Sequence, residues 1–439
     1  MSAAFERGTL TWVAGIEDTC VYPPARFAME ALDEYDLTEH SLHWRSDLDT
    51  VQELGVTALR YGVNWPRVHT APHEFDWAVL DERLAYATED LGLTVIADLV
   101  HYGTPTWLDD SFADPRYPDA VAEFAGAFAE RYRGLVDHIT PLNEPVTTAS
   151  FCGLRGVWPP ALTGWDGWAT VVLGIVEGMA RSIEAIRAAN PEAVVVHVEA
   201  SALYAAGAPH LGDLATHLES IGTLPTDLLL GRVTPEHELY DWLVSQGATA
   251  ERLDRLTRDP ARIDLMGVNY YPDLSPRTLV DAEGQVSQVA TNRWAEGLAA
   301  TLRTFAERYR LPLVVTETSI EGDDDVRAAW VDASIDAVRA LVAEGVDVRG
   351  YTWWPVFDFV DWSFASGGRN VEEFQVDDGL VEARSSSTAS KSPYLRRMGL
   401  IRLDEQEDGT LARVPTAAAD GFAARTRAAG ADVIDDLSA

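Results

Sequence analysis

"VEGMARSIEAIRAANPEAVVVHVEA", residues 176–200, joins a helix to a strand within 25 residues and carries the reading of the fold. Met179, Ile183 and Ile186 recur at three- and four-residue steps, which puts them on one face of a helix. Asn190 and Pro191 stop that helix. The run from 193 to 200 then carries Val at 194, 195, 196 and 198, with no strict alternation of apolar and polar residues. A strand that is apolar at successive positions is covered on both faces, as in a parallel sheet flanked by helices.

Working outward, similar apolar runs lie at 9–16, 56–63, 94–101, 138–143, 263–271, 311–318 and 348–354. Amphipathic stretches separate them. In "DAVAEFAGAFAERYRG" (119–134), Val121, Phe124, Phe128 and Tyr132 share a face. Eight strands alternating with helices in one chain predict a (β/α)8 barrel, with a doubly wound sheet as the alternative. No repeat or linker divides the 439 residues, so residues 1–439 are expected to form one domain. Residues 363–396 form a long irregular insertion after the eighth strand. Its origin at the barrel mouth suggests a lid over the cleft.

Composition narrows the partners. The chain is 47% hydrophobic and 24% charged, which is ordinary for a globular protein with a sizeable core. Asp plus Glu number 70 against 34 Lys plus Arg, a net charge of −36, and Lys391 is the one lysine. Such a surface repels nucleic acid and anionic membranes, so neither is expected as a partner. A salt-rich cytosol is a second reading of the acidity. The two cysteines, Cys20 and Cys152, suit neither a disulfide framework nor a zinc site. The first residues lack the basic-then-apolar pattern of a signal peptide, and no run approaches a membrane span. A cytoplasmic protein is the default expectation; the oligomeric state is not readable.

Barrel enzymes carry their chemistry at the C-terminal ends of the strands. Strand 2 leads through Arg60, strand 3 ends at His101, and strand 4 ends at Asn143 and Glu144. Strand 6 ends at Asn269, Tyr270 and Tyr271, and strand 7 at Glu317. Strand 8 ends at Trp353 and Trp354, followed by Asp358, Asp361 and Trp362. Glu144 and Glu317, far apart in sequence, therefore open into the same mouth. Two carboxyl groups flanking one bond are what glycoside hydrolysis requires, one to attack or activate water and one to protonate the leaving oxygen. Arg60 is placed to keep Glu317 ionised, Tyr271 to orient it, and Asn143 to bond a sugar hydroxyl. Indoles offer flat faces to a pyranose. Taken singly, such a glutamate is more often a helix cap, such a histidine a satisfied core residue, and such aromatics core packing. Glu199, at the end of strand 5, is a third carboxylate and reads more readily as structural. No His/Cys cluster or glycine-rich phosphate loop is visible, so no metal or organic cofactor is expected; the expected partner is a small-molecule glycoside.

The sequence also resembles the family 1 glycoside hydrolases, retaining β-glucosidases and β-galactosidases on (β/α)8 barrels. "LRYGVNWPRV", "HYGTPTWL", "TPLNEP", "MGVNYYP", "VVTETS" and "GYTWWPVFDFVDW" are similar, in order, to that family's motifs, as is "RMGLIRLD" with "RVPTAAADGF" near the end. The resemblance implies that Glu144 is the acid/base and Glu317 the nucleophile, with Arg60, Asn143, Asn269 and Tyr271 in support. It implies a sugar grip made by Glu17, His101, Trp354, Asp361 and Trp362. The sequence departs from the family at several of these positions. Gly15 stands where the family places Gln, Asp361 where it places Glu, Tyr102 where it places Trp, and Thr318–Ser319 where it places Asn-Gly. Shorter arms at 15 and 361 suggest a looser grip on glucose and room for a bulkier sugar. A carbohydrate-binding barrel without catalysis, and a transglycosylase using the same two carboxylates, are the other readings.

Overall fold

The computed structural model describes residues 4–27, 29–367 and 390–436. Eight strands close into a barrel: β1 (Thr11–Gly15), β2 (Ala58–Gly62), β3 (Thr94–Asp98), β4 (His138–Thr140), β5 (Val194–Ala200), β6 (Leu265–Asn269), β7 (Leu313–Glu317) and β8 (Val348–Trp353). Each strand pairs in parallel with the next, and β1 closes the ring by pairing with both β2 and β8. All eight fall within the apolar runs read from the sequence. The reason is visible in the packing. Val13, Ala58, Ile96, Val196, Leu265 and Val314 point into the barrel and cluster around Phe5, which plugs one end. Their neighbours Leu59, Tyr61, Val95, Ala97 and Val195 point outward beneath the helices. With both faces buried, the strands show no alternation. Gly350 on β8 makes room for the plug, because a Cβ there would lie 2.8 Å from Phe5 Cε1.

The outer layer consists of α1 (His40–Glu53), α2 (Ala78–Ala85), α3 (Tyr117–Arg131), α4 (Gly164–Ala189), α5 (Gly212–Leu229), α6 (Trp294–Tyr309), α7 (Asp324–Ala343) and α8 (Ala417–Asp436). In α3 the buried stripe contains Val121, Phe124 and Phe128, with Tyr132 buried just past the last turn. Helix α4 begins at Gly164, well before the stripe seen in the sequence. Its first half buries Trp168, Val171, Val172, Leu173 and Ile175, so it is apolar on most sides and shows no helical period. Helix α7 starts on the Asp323 side chain, which accepts from Val326 N at 3.0 Å, and Asp324 and Asp325 in its first turn complement the positive end of the helix dipole.

Additions at the mouth shape what lies above the barrel. After β5 and β6, Leu203–Ala206, Pro276–Ala282 and Gln285–Ala290 form a three-stranded sheet. After β8, Phe359–Val360 pairs antiparallel with Leu395–Arg396, and the Phe364 and Tyr394 rings meet edge-on at 5.0 Å. The middle of the 363–396 insertion, residues 368–389, lies outside the described residues, and with it most of the suggested lid. Cys20 and Cys152 are free and buried, and no described helix is long and apolar enough to cross a membrane.

Candidate active site

The stretch "PLNEP" (141–145) shows how the barrel builds its mouth. After β4 the chain breaks and then rejoins the sheet, Asn143 bridging to Val198 on β5 and Glu144 N donating to Val198 O at 3.2 Å. Glu144 adopts φ 46°, ψ 71°, a left-handed conformation uncommon for a residue with a side chain. Pro145 follows it, disfavouring the right-handed helical region at Glu144 and opening the short helix Pro145–Ala149. The buried Glu199 carboxylate accepts from Val146 N at 3.2 Å and from Ala200 N at 2.9 Å. It thus fastens the turn that aims Glu144. Burial, reinforced by Glu144, holds the Glu199 carboxyl well above the ordinary carboxylate range.

Glu144 and Glu317 line one pocket together with Glu17, His101, Asn269, Tyr271, Trp354 and Trp362. Their surroundings differ. Among the described residues Glu144 receives neutral donors only: Tyr102 Oη to Oε2 at 2.7 Å and Asn269 Nδ2 to Oε1 at 2.7 Å. Thr316 Oγ1 donates to Asn269 Oδ1 at 2.6 Å, which fixes the amide. Glu317 instead forms an ion pair with Arg60 and receives Tyr271 Oη at 2.6 Å. Burial, set against the pull of Arg60, pushes the Glu317 carboxyl up to about 8, and the Glu144 charge adds to the rise. Burial and then Glu317 hold the Tyr271 phenol well above its ordinary value, so it remains a donor.

Arg60 and Asn143 sit behind the pocket and act through their neighbours. Arg60 is fully buried, also pairs with Asp98, and donates to Asn143 Oδ1 at 2.8 Å. Asn143 Nδ2 lies 3.1 Å from His101 Nε2 and donates to Tyr102 Oη at 3.0 Å. His101 Nδ1 faces Asp18 Oδ1 at 2.9 Å and Asp98 Oδ2 at 3.1 Å. Asp18 and Asp98 were not among the sequence-derived candidates, and Tyr102 was named only as a departure from the family's Trp. A carboxylate interrupting the apolar run "TVIADLVH" was the available signal for Asp98.

At the positions where the sequence suggested shortened sugar-gripping arms, the structure leaves no hole at position 15. The Trp354 indole lies over Gly15, so close that a Cβ at position 15 would come within 1.9 Å of its Cε3. The same indole stacks on His101 with 5° between planes, lies under the Arg60 guanidinium at 4.5 Å, and donates from Nε1 to Glu17 Oε2 at 3.2 Å. Glu17 also receives Thr19 N at 3.2 Å. Asp361 is not part of the pocket lining. Its carboxylate accepts from Ser363 N at 2.9 Å and pairs with Arg396 at 3.3 Å, because the antiparallel return at 395–396 brings a guanidinium beside it. Arg396 lines the pocket in its place and pairs with Glu321 as well, at 2.8 Å.

A closed parallel barrel with two carboxyl groups in unlike environments at the C-terminal ends of β4 and β7 is the layout of a glycoside hydrolase. The chain belongs to glycosyl hydrolase family 1, whose family model matches residues 22–223 and 253–370. Among curated relatives, beta-glucosidase A of Thermotoga maritima is 23% identical over 357 residues, 74% of this chain and 79% of that protein. A beta-galactosidase of Saccharolobus solfataricus is 23% identical over 430 residues, 83% of each chain. A solved family 1 β-glucosidase from Thermotoga maritima superposes with a TM-score of 0.77 at 18% identity, over 96% of this chain and 98% of that one, which shows the shared fold. The protein is thus a glycoside hydrolase of the β-glycosidase type.

Proposed function

We propose that the protein is a retaining β-glycosidase in which Glu317 is the nucleophile and Glu144 the acid/base, acting on β-glycosides of the glucose–galactose class. The observation that carries this reading is the unequal support of the two carboxylates: a guanidinium and a phenol on Glu317, two neutral donors on Glu144. A nucleophile must be ionised before the bond breaks; Arg60 favours that form while burial pushes the carboxyl up to about 8, so the reactive fraction of Glu317 grows as pH rises toward 8. An acid/base must hold a proton and then release it, which a partner set without a cation permits. Glu317 attacks the anomeric carbon as the bond to the leaving oxygen breaks and Glu144 protonates that oxygen. Water then gives a proton to Glu144 and attacks the glycosyl ester, freeing the sugar and the Glu317 carboxylate. The activities named for the β-glucosidase and β-galactosidase relatives support this substrate class.

Azide rescue of two alanine variants tests the assignment. With Glu317→Ala, azide should restore turnover of an activated aryl β-glycoside and yield the α-glycosyl azide, because the anion occupies the nucleophile's face. With Glu144→Ala, azide should yield the β-product through the intact glycosyl-enzyme. Opposite anomers would exchange the two roles, and full activity in both variants would refute the mechanism.

A further inference from the structure

In the three-stranded sheet after β5 and β6, Pro276–Ala282 lies in the middle and Gln285–Ala290 lies outermost. The outer strand reads QVSQVA, without a charge, in a chain that is 24% charged. Charged side chains, proline and bulges are the usual protection of an open sheet edge. This strand has no charge and no proline, and its register with Pro276–Ala282 runs without a bulge. Val280, Val286 and Val289, all on this hairpin, are among the few large apolar side chains left exposed in the described residues.

The register decides which backbone groups face outward. Thr291 N donates to Pro276 O at 2.9 Å, just beyond the facing pair Arg277 and Ala290. Facing residues in an antiparallel pair alternate between exchanging both hydrogen bonds and exchanging none. The bonded pairs are therefore Thr278 with Val289, Val280 with Ser287, and Ala282 with Gln285. Leu279, which faces Gln288, turns its carbonyl the other way and accepts from Gly207 N at 2.9 Å. Val286, Gln288 and Ala290 consequently direct their N–H and C=O groups out of the sheet edge. Among the described residues no backbone group bonds them there.

We infer that this edge is a docking surface for a second copy of the chain, the two Gln285–Ala290 strands pairing antiparallel about a two-fold axis through Gln288. In that register Gln288 faces Gln288 of the second copy and Val286 faces its Ala290, so every outward group of the strand meets an outward partner. Each facing pair then exchanges both hydrogen bonds, and the two three-stranded sheets become one. The occupant follows from charge. Copies of net charge −36 repel each other, so a contact between them has to fall where the surface is neutral, and a charge near the axis would meet its own kind. The strand carries none. The same register brings Glu283, at the tip of one hairpin, toward Arg293 of the other, which in its own chain pairs with Glu296 at 2.6 Å.

An interface built on one strand pair is small, so the dimer is weak and its population depends on concentration. Sedimentation velocity of the full chain, from micromolar to millimolar, should show the mass moving from one chain toward two. Raising the salt concentration should favour the dimer by screening the repulsion between copies. Val286→Pro removes an N–H that bonds nothing within the hairpin, so it should abolish the dimer and leave the melting temperature unchanged. Cysteine variants fix the register, and they decide alone if the proline disturbs the hairpin; the native Cys20 and Cys152 are buried. Facing residues of a bonded antiparallel pair lie about 5.5 Å apart at Cα, within disulfide reach, whereas the two copies of Val286 stand about 14 Å apart. Gln288→Cys should therefore cross-link two chains under mild oxidation, as should V286C/A290C, while Val286→Cys alone should not. A chain that stays monomeric at every concentration and salt, or a Val286→Cys variant that links as readily as Gln288→Cys, would overturn the inference. So would a dimer that survives Val286→Pro, because the contact would then lie on another surface.

Discussion

Glu317→Gln should make the protein progressively more stable, relative to the native chain, as pH rises from 5 to 8. In the folded protein burial pushes the Glu317 carboxyl from 4.5 up to about 8 against the pull of Arg60. The folded state therefore holds a proton that the unfolded chain releases near 4.5. The contribution to stability is fully present below pH 4.5 and is lost as pH climbs through the folded value near 8. Within that window each pH unit costs about 1.4 kcal/mol, so the native chain loses about 4 kcal/mol between pH 5 and pH 8 that a Gln at 317 cannot lose. Removing one of the two carboxylate partners of Arg60 adds an offset in the variant, and only the difference between the two pH slopes is diagnostic. Urea unfolding of both proteins at pH 5, 6, 7 and 8, extrapolated to water, measures it. Parallel curves across the range would mean that the Arg60 ion pair outweighs burial and keeps Glu317 ionised throughout, and the reasoning would be wrong.

Two further changes probe the neighbours. Gly15→Ala should destabilise by about 1–3 kcal/mol and lower kcat/KM, because its Cβ collides with the Trp354 indole at 1.9 Å and forces that ring off His101; an unchanged melting temperature would show that the indole has space to move. Tyr102→Phe removes a 2.7 Å hydrogen bond from Glu144 and should slow glycosides with poor leaving groups by about tenfold or more while sparing activated aryl glycosides; equal losses across a leaving-group series would argue against Glu144 as the proton donor.

The fold was legible because barrel strands have a simple physical signature. Strand β5 buries Val196 and Val198 in the barrel and Val195 under the helices, so the sequence shows a valine run where a one-faced sheet would alternate. Helix α3 carries a clear stripe because one face is solvated, whereas the first half of α4 is buried on most sides and carries none. The two glutamates were legible because strand ends in a barrel converge whatever their separation in the chain.

What the sequence withheld is which side chain occupies which space. A glycine at 15 and an aspartate at 361 both read as missing reach, and the expected result was a roomier sugar site. The structure instead fills the first position with Trp354 and engages the second with Arg396, delivered by a strand on the far side of an insertion. Both outcomes follow from close packing, which leaves few voids larger than a water molecule, and from the cost of an unpaired buried carboxylate. Asp98 and Asp18 follow the same logic: they became visible only when Arg60 and His101 were seen to need partners. The division of labour between Glu144 and Glu317 is therefore not a property of either glutamate. It arises from β2 supplying a guanidinium and the chain beyond β6 a phenol to one carboxylate, while the β3 loop and β6 supply only neutral donors to the other. Exchanging those neighbours, more than exchanging the carboxylates, would exchange the roles.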